Sequence, residues 1–143
     1  MDYFIKGRVK NYSLVLGYVY VLIDALGLNR LQRTIDIEFV TECDGKVLGY
    51  CWGDKDEVNI QISRNHEGRK LGFLEMMQTL THEMIHARQF LRGELTSKDG
   101  FRVWKGTPYP EYTYKDFPWE KEAYNLEKEL FLENFPFFAK FEN

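Results

Sequence analysis

Three residues near the middle of the chain have the types and spacing to do chemistry together. His82, Glu83 and His86 stand in the run Thr81-His82-Glu83-Met84-Ile85-His86. Residues four apart lie one turn apart on the same face of an α-helix. Both imidazoles can therefore reach one tetrahedral metal ion at about 2.0–2.1 Å. Glu83 follows His82 and can reach a water activated by that ion without ligating the ion itself. A carboxylate so placed can take a proton from the water and pass it on to a leaving amine. The ligand type points to one Zn2+ per chain, although imidazole also suits other transition metals. The chain has 3 histidines, and two of them are spent on this motif.

A catalytic zinc site needs a third protein ligand and leaves the fourth position open. His66, Cys51 and carboxylates towards the C-terminal end are the candidates. The segment Pro118-Trp119-Glu120-Lys121-Glu122-Ala123-Tyr124 places two carboxylates at the start of an amphipathic helix. At about 100° per residue, Glu120 and Glu122 flank opposite sides of its apolar stripe, so only one can face the histidines. Periodicity does not choose between them, and either alone also suits a helix N-terminus. A donor for a developing oxyanion could come from Arg88, Tyr109, Tyr112 or Tyr114, each of which equally fits a packing or surface role.

The elements that must carry these residues follow from pattern. Residues 12–28 read as a buried helix, with Ser13 as cap and Gly27 as stop. Thr34 to Phe39 alternates apolar and polar, as a half-buried strand does. Asp44-Gly45 signals a hairpin turn into a second strand over residues 46–52, with Val47 and Tyr50 as packing residues. A turn at residues 53–56 leads to a third strand over residues 58–63, where Val58, Ile60 and Ile62 alternate with Asn59, Gln61 and Ser63. After a polar loop over residues 64–70 comes the clearest helix, residues 73–91. Its core stripe is Phe73, Met77, Leu80, Met84, Ala87 and Leu91, and Gly93 lies at its stop. Residues 94–117 show no steady period and read as an ordered surface loop. Pro118 opens a last helix to residue 134, with Trp119, Ala123, Leu126 and Leu130 facing the core. The tail over residues 135–141 is rich in Phe and is expected to fold back onto the domain. Strands grouped together and then followed by helices indicate an α+β fold.

With these residues in place, the chain resembles the HExxH zinc metallopeptidases. HExxH followed by a Glu-x-Glu-Ala helix resembles small gluzincin-type and ImmA/IrrE-like proteins. The strands leading into Thr-Leu-Thr-His-Glu-Met-Ile-His-Ala also resemble SprT-like and phage-encoded metallopeptidases. The likeness covers roughly residues 35–130. It implies a minimal zincin-like domain: an N-terminal backing helix, a small three-stranded and mostly antiparallel sheet, the active-site helix, and a C-terminal helix carrying the third ligand. It implies His82, His86 and Glu120 as metal ligands and Glu83 as the catalytic base. Tyr124 departs from the Asp or Asn of the gluzincin pattern, which keeps Glu122 in play. SprT-like proteins use a third histidine, and none follows His86 here. The resemblance further implies a peptide or protein substrate paired along an edge strand, here residues 58–63.

Composition sets the outer limits. A chain of 143 residues fits one domain, residues 1–143, with a core that needs no disulfides. A net charge of −3 argues against strong nucleic-acid binding. The most apolar stretch, residues 14–28, is broken by Gly17, Asp24 and Gly27 and falls short of the ~20 residues of a membrane span. The start, MDYFIKGRVK, has no signal-peptide pattern, so a cytoplasmic location is expected, in a bacterium or in the host of a phage. Cys43 and Cys51 form no CxxC pair and read as reduced thiols. Two rival functions remain. A peptide-deformylase-like amide hydrolase would take Cys51 as ligand, although the setting Gly49-Tyr50-Cys51-Trp52-Gly53 lacks that family's context. A zinc-stabilised binding or regulatory module without turnover would have no need of Glu83.

Overall fold

The structure, a computed structural model, describes residues 1–110 and 116–143. It is a mixed α+β chain with three helices and three small sheets among those residues. The main sheet holds β1 (Asp2–Gly7), β2 (Thr34–Val40), β3 (Gly49–Gly53) and β4 (Glu57–Ser63) in the order β1-β2-β4-β3. The expected sheet of three mostly antiparallel strands is therefore corrected. β1 pairs with β2 in parallel, β2 pairs with β4 in parallel, and only β3 and β4 are antiparallel. The reason is connectivity. Helix α1 (Tyr12–Ala25) carries the chain back from β1 to β2, as a parallel pair requires. The link from β2 then passes over β4 and sets β3 on its far side.

Asp44-Gly45 consequently does not join neighbouring strands. It lies in a 3-10 turn (Asp44–Lys46), with Gly45 at φ 77°. The true hairpin is β3 to β4, where the Asp54 carboxylate accepts the N–H groups of Asp56 and Glu57 at 2.8 and 3.0 Å. β4 is an interior strand, so residues 58–63 are not the edge; the edge on that side is β3. β3 also reverses the expected packing. Cys51 is buried, while Val47 and Tyr50 are exposed, and Tyr50 stacks on Trp52 with ring centres 5.3 Å apart.

β1 was not foreseen because Ile5 is its only buried residue, as suits a strand at the sheet border. The stretch after residue 94 is not simply a loop. β7 (Leu95–Lys98), β8 (Phe101–Trp104) and β9 (Thr107–Tyr109) form an antiparallel meander, preceded in the chain by the two-residue strands β5 (Asn65–His66) and β6 (Arg69–Lys70). Its turns are Asp99-Gly100 and Lys105-Gly106, each with two consecutive positive φ values. Such turns match the twist of a hairpin and favour glycine second.

Helix α2 (Phe73–Leu91) and helix α3 (Pro118–Asn134) have the expected bounds. α2 lies on β3 and β4, and α3 docks on α2 and α1. Ile35, Ile37, Phe39, Val58, Ile60 and Ile62 are buried, while the residues between them on β2 and up to Gln61 on β4 are half-buried, so the sheet turns one apolar face to the helices. The predicted stripe of α2 is buried throughout. On α3, Trp119, Ala123 and Phe131 are buried, whereas Leu126 and Leu130 are only partly so. The tail folds back in part: Phe135 is buried and Phe141 packs on Phe73, but Phe138 is 93% exposed. Asn11, not Ser13, precedes the first turn of α1, and Gly27 follows that helix with φ 72°.

Candidate metal centre

α2 and α3 run antiparallel along one seam. Gln89 meets Trp119 and Glu122, His86 meets Glu120, His82 meets Glu127, and Phe73 meets Phe135. From Gln89–Trp119 through His82–Glu127 to Phe73–Phe135, the contacts run down α2 as they run up the chain from the start of α3. Beside His82 the helix is fixed to α1: Thr81 donates to the Met77 carbonyl at 2.8 Å, so its oxygen accepts the Tyr18 hydroxyl at 2.6 Å. Burial pushes the Tyr18 phenol up to about 12, so it remains a donor. At the start of α3, Trp119 stacks on Phe117 at 4.5 Å and meets Tyr109 edge-on at 5.6 Å. That packing sets the phase of α3 and turns Glu120 towards the histidines.

The central group is a small triangle. Glu120 Oε1 lies 2.9 Å from His86 Nε2 and 3.0 Å from His82 Nε2, and the two nitrogens are 3.1 Å apart. A tetrahedron built on metal–ligand bonds of about 2.0–2.1 Å has donor–donor edges of roughly 3.3–3.4 Å, so small movements would admit an ion. The outer ring nitrogens are already engaged. His86 Nδ1 donates to Gln89 Oε1 at 2.7 Å, and His82 Nδ1 donates to Glu127 Oε2 at 3.1 Å. Acceptors at both Nδ1 atoms fix the tautomer that leaves each Nε2 as a lone pair. Two lone pairs and a carboxylate oxygen this close require a proton or a cation between them.

The electrostatics express the same demand. At His82 burial alone would lower the imidazole pKa, but hydrogen bonds to Glu120 and Glu127 overcome it and raise it to about 10. At Glu120 burial opposes ionisation, yet the two histidines hold the carboxyl well below its usual range. Two imidazoles and one carboxylate are a donor set that could hold a metal ion, and their ligand atoms all lie within 4.8 Å of one another. The set does not by itself fix which ion.

Glu83 sits beside this group without joining it. It is 6% exposed, and burial lifts its carboxyl to about 7 against the pull of His86 and His82. Space for it comes from β3: a Cβ at Gly49 would lie 3.1 Å from Glu83 Oε2 and 2.6 Å from Thr79 Cγ2. A groove of about 750 Å³ opens over the site. Its walls include β3 and its lead-in on one side, and Glu120, Tyr124 and Glu127 of α3 on the other.

Compared with protein-family models and with curated proteins, this chain matches none.

Of the sequence candidates, His82, His86 and Glu120 converge, with Glu83 adjacent. Glu122 faces away, accepting from Gln89 Nε2 at 3.1 Å and lying 3.6 Å from Arg88. The buried Cys51 thiol and His66 both line the groove, but neither belongs to the convergent group; His66 Nε2 instead lies 3.1 Å from the Lys46 carbonyl. Tyr109 lines the groove, whereas Arg88 does not and is turned to Glu122. Tyr112 and Tyr114 lie outside the described residues. Tyr124, the departure from the gluzincin pattern, places its ring 4.9 Å from that of His82. Sequence reasoning missed Gln89 and Glu127. Both were findable by spacing: Gln89 is three residues beyond His86, and Glu127 is two turns beyond Glu120, so each shares a face with a ligand. Among the described residues, no helix is long and apolar enough to cross a membrane.

Proposed function

We propose that this chain is a zinc-dependent peptidase of the HExxH type with a minimal zincin-like fold, as the resemblance to gluzincin-type, ImmA/IrrE-like and SprT-like proteins implies. The observation that carries the reading is the pairing of a convergent His82–His86–Glu120 triangle with a separate buried carboxyl, Glu83, beside it. A purely structural metal site has no use for the second carboxyl.

A zinc ion held by His82, His86 and Glu120 would supply Lewis acidity towards a water and a scissile carbonyl. The chain's own residues do the rest. Glu83 Oε2, beside the Gly49 backbone, holds the proton taken from the attacking water and returns it to the leaving amine. A buried carboxyl beside the ligand group, raised by burial and lowered by a bound cation, can take up that proton and release it again. Gln89 and Glu127 keep the imidazoles aimed. The substrate would lie along β3, the strand that borders the groove, and not along the interior β4. Backbone pairing there would accept peptides with modest sequence preference. The deformylase-like reading is the less favoured one, because Cys51 lies outside the group of ligand atoms that converge.

The test is metal content by mass spectrometry on untagged protein, for the native chain and for Glu120→Ala and Glu122→Ala. One zinc per chain, lost in Glu120→Ala and kept in Glu122→Ala, is the expected result. Native protein that takes up no zinc would overturn the proposal.

A further inference from the structure

Arg102 is a cation set in the groove with no ion-pair partner among the described residues. It lies on β8, cross-strand from Tyr109, and both residues line the groove. Its guanidinium carbon stands 5.2 Å from the centre of the Phe90 ring. Phe90 is 1% exposed, so this cation–π contact rests on a fixed base and holds the charged head in place. Phe90 follows His86 by four residues on α2, one turn along the same face, so Arg102 stands over the turn of α2 that follows His86.

Other arginines show what is missing. Arg33 and Arg69 pair with Asp56 and Glu75, Arg88 pairs with Glu122, and Arg64 and Arg92 donate to backbone carbonyls. Arg8 and Arg30 are exposed to water. Arg102 is half-buried and makes no hydrogen bond or ion pair among the described residues. A guanidinium offers five N–H donors in a planar fork that matches a carboxylate. Of the carboxylates that line the groove, Glu120 and Glu127 are committed to the histidines and Glu75 to Arg69 and the Gly72 N–H, while Glu83 is buried and makes no ion pair with Arg102 among the described residues.

We propose that Arg102 receives a carboxylate of the substrate, at the end of the groove beyond His86. The inference rests on the peptidase reading and names its substrate class: peptides that present a negative charge within a residue or two of the cleaved bond. The carboxylate is either the peptide's C-terminal group or an acidic side chain. Arg102 is then a specificity residue, and its forked contact favours bound over free substrate.

The test uses one peptide hydroxamate scaffold in three forms: with a free C-terminal carboxylate, with a C-terminal amide and a Glu side chain, and with a C-terminal amide and Gln. Binding to the zinc-loaded protein is measured by calorimetry. One charged form should bind about 10- to 100-fold more tightly than the Gln form, the range of a charge-assisted hydrogen bond. Which of the two does so identifies the source of the carboxylate. Arg102→Gln should abolish the preference and leave affinity for the Gln form unchanged; Arg102→Lys should restore part of it. A guanidinium that merely covers Phe90 would show no such dependence. Equal binding of all three forms, or a preference that survives Arg102→Gln, overturns the proposal and leaves the metal centre standing. No binding of any form overturns the peptidase reading and this inference with it.

Discussion

At one end of the seam between α2 and α3, His82, His86, Gln89, Glu120 and Glu127 meet; at the other, Phe73, Phe131 and Phe135 meet. The same two helices supply both ends. The aromatic end is conventional stabilising material. Phe131 and Phe135 are each 4% exposed, and ring pairs such as Tyr18–Phe135 at 5.2 Å and Phe131–Phe135 at 5.2 Å each add about 0.5–1.5 kcal/mol beyond area burial. The polar end buries charge, which costs free energy unless every group is paired. The contrast shows how a small domain can hold a polar cluster: the helices are clamped by aromatic packing at one end while titratable side chains are held close at the other.

The largest expected effect bears on the polar end alone. Glu83→Gln should lower peptide hydrolysis by about 10²- to 10⁴-fold, the usual share of acid–base catalysis, with zinc content unchanged. A fluorogenic peptide library assayed beside metal analysis checks both halves. Full activity in Glu83→Gln would break the proposed mechanism.

The aromatic end should show the reverse. Phe135→Ala is expected to destabilise the chain by ~3–5 kcal/mol in urea unfolding, while the protein that remains folded binds zinc as before. An equal loss of zinc affinity would mean that the two ends are not separable.

Next in size is Gln89→Ala. Removing the acceptor from His86 Nδ1 frees the ring to turn, and zinc affinity should fall about 10- to 100-fold in competition with a chromophoric chelator. Glu127→Gln should act the same way on His82. Glu122→Ala reaches the site only through Gln89 and should have a smaller effect.

A further effect is a pH dependence that only the metal-free chain should show strongly. The folded pKa of His82, about 10, lies above its ordinary 6.5. Its contribution to stability is therefore complete below pH 6.5 and is lost as pH rises through 10. Glu83, raised from 4.5 to about 7, acts with the same sign at lower pH. The melting temperature of the metal-free protein should thus decline from neutral to alkaline pH. With zinc bound, His82 cannot take up the proton, and zinc binding gains as protons cease to compete, so that decline should flatten. Scanning calorimetry with and without a chelator distinguishes the two curves.

How much of this was legible in the sequence divides along the same lines. α2 and α3 were placed at their true bounds because long amphipathic periods and a first-turn proline are local signals. The strand residues facing the core on β2 and β4 were placed for the same reason. Sheet order was not, because β2 pairs with β4 across a link that a local turn signal at Asp44-Gly45 made look like a hairpin. The meander was missed although Asp99-Gly100 is a hairpin signal, since its strands bury little besides Leu95 and Trp104. At the site, His82, Glu83 and His86 declare themselves by spacing within one helix. Periodicity left Glu120 and Glu122 open and only the resemblance implied Glu120, because the choice rests on how α3 docks, where Trp119 stacks on Phe117.

One consequence of the split ligand set concerns topology. His86 and Glu120 are 34 residues apart in the chain. An ion that joins them is also a cross-link, closing a loop that contains the whole meander. A covalent link over a loop of that size removes about 3–5 kcal/mol of unfolded-state freedom.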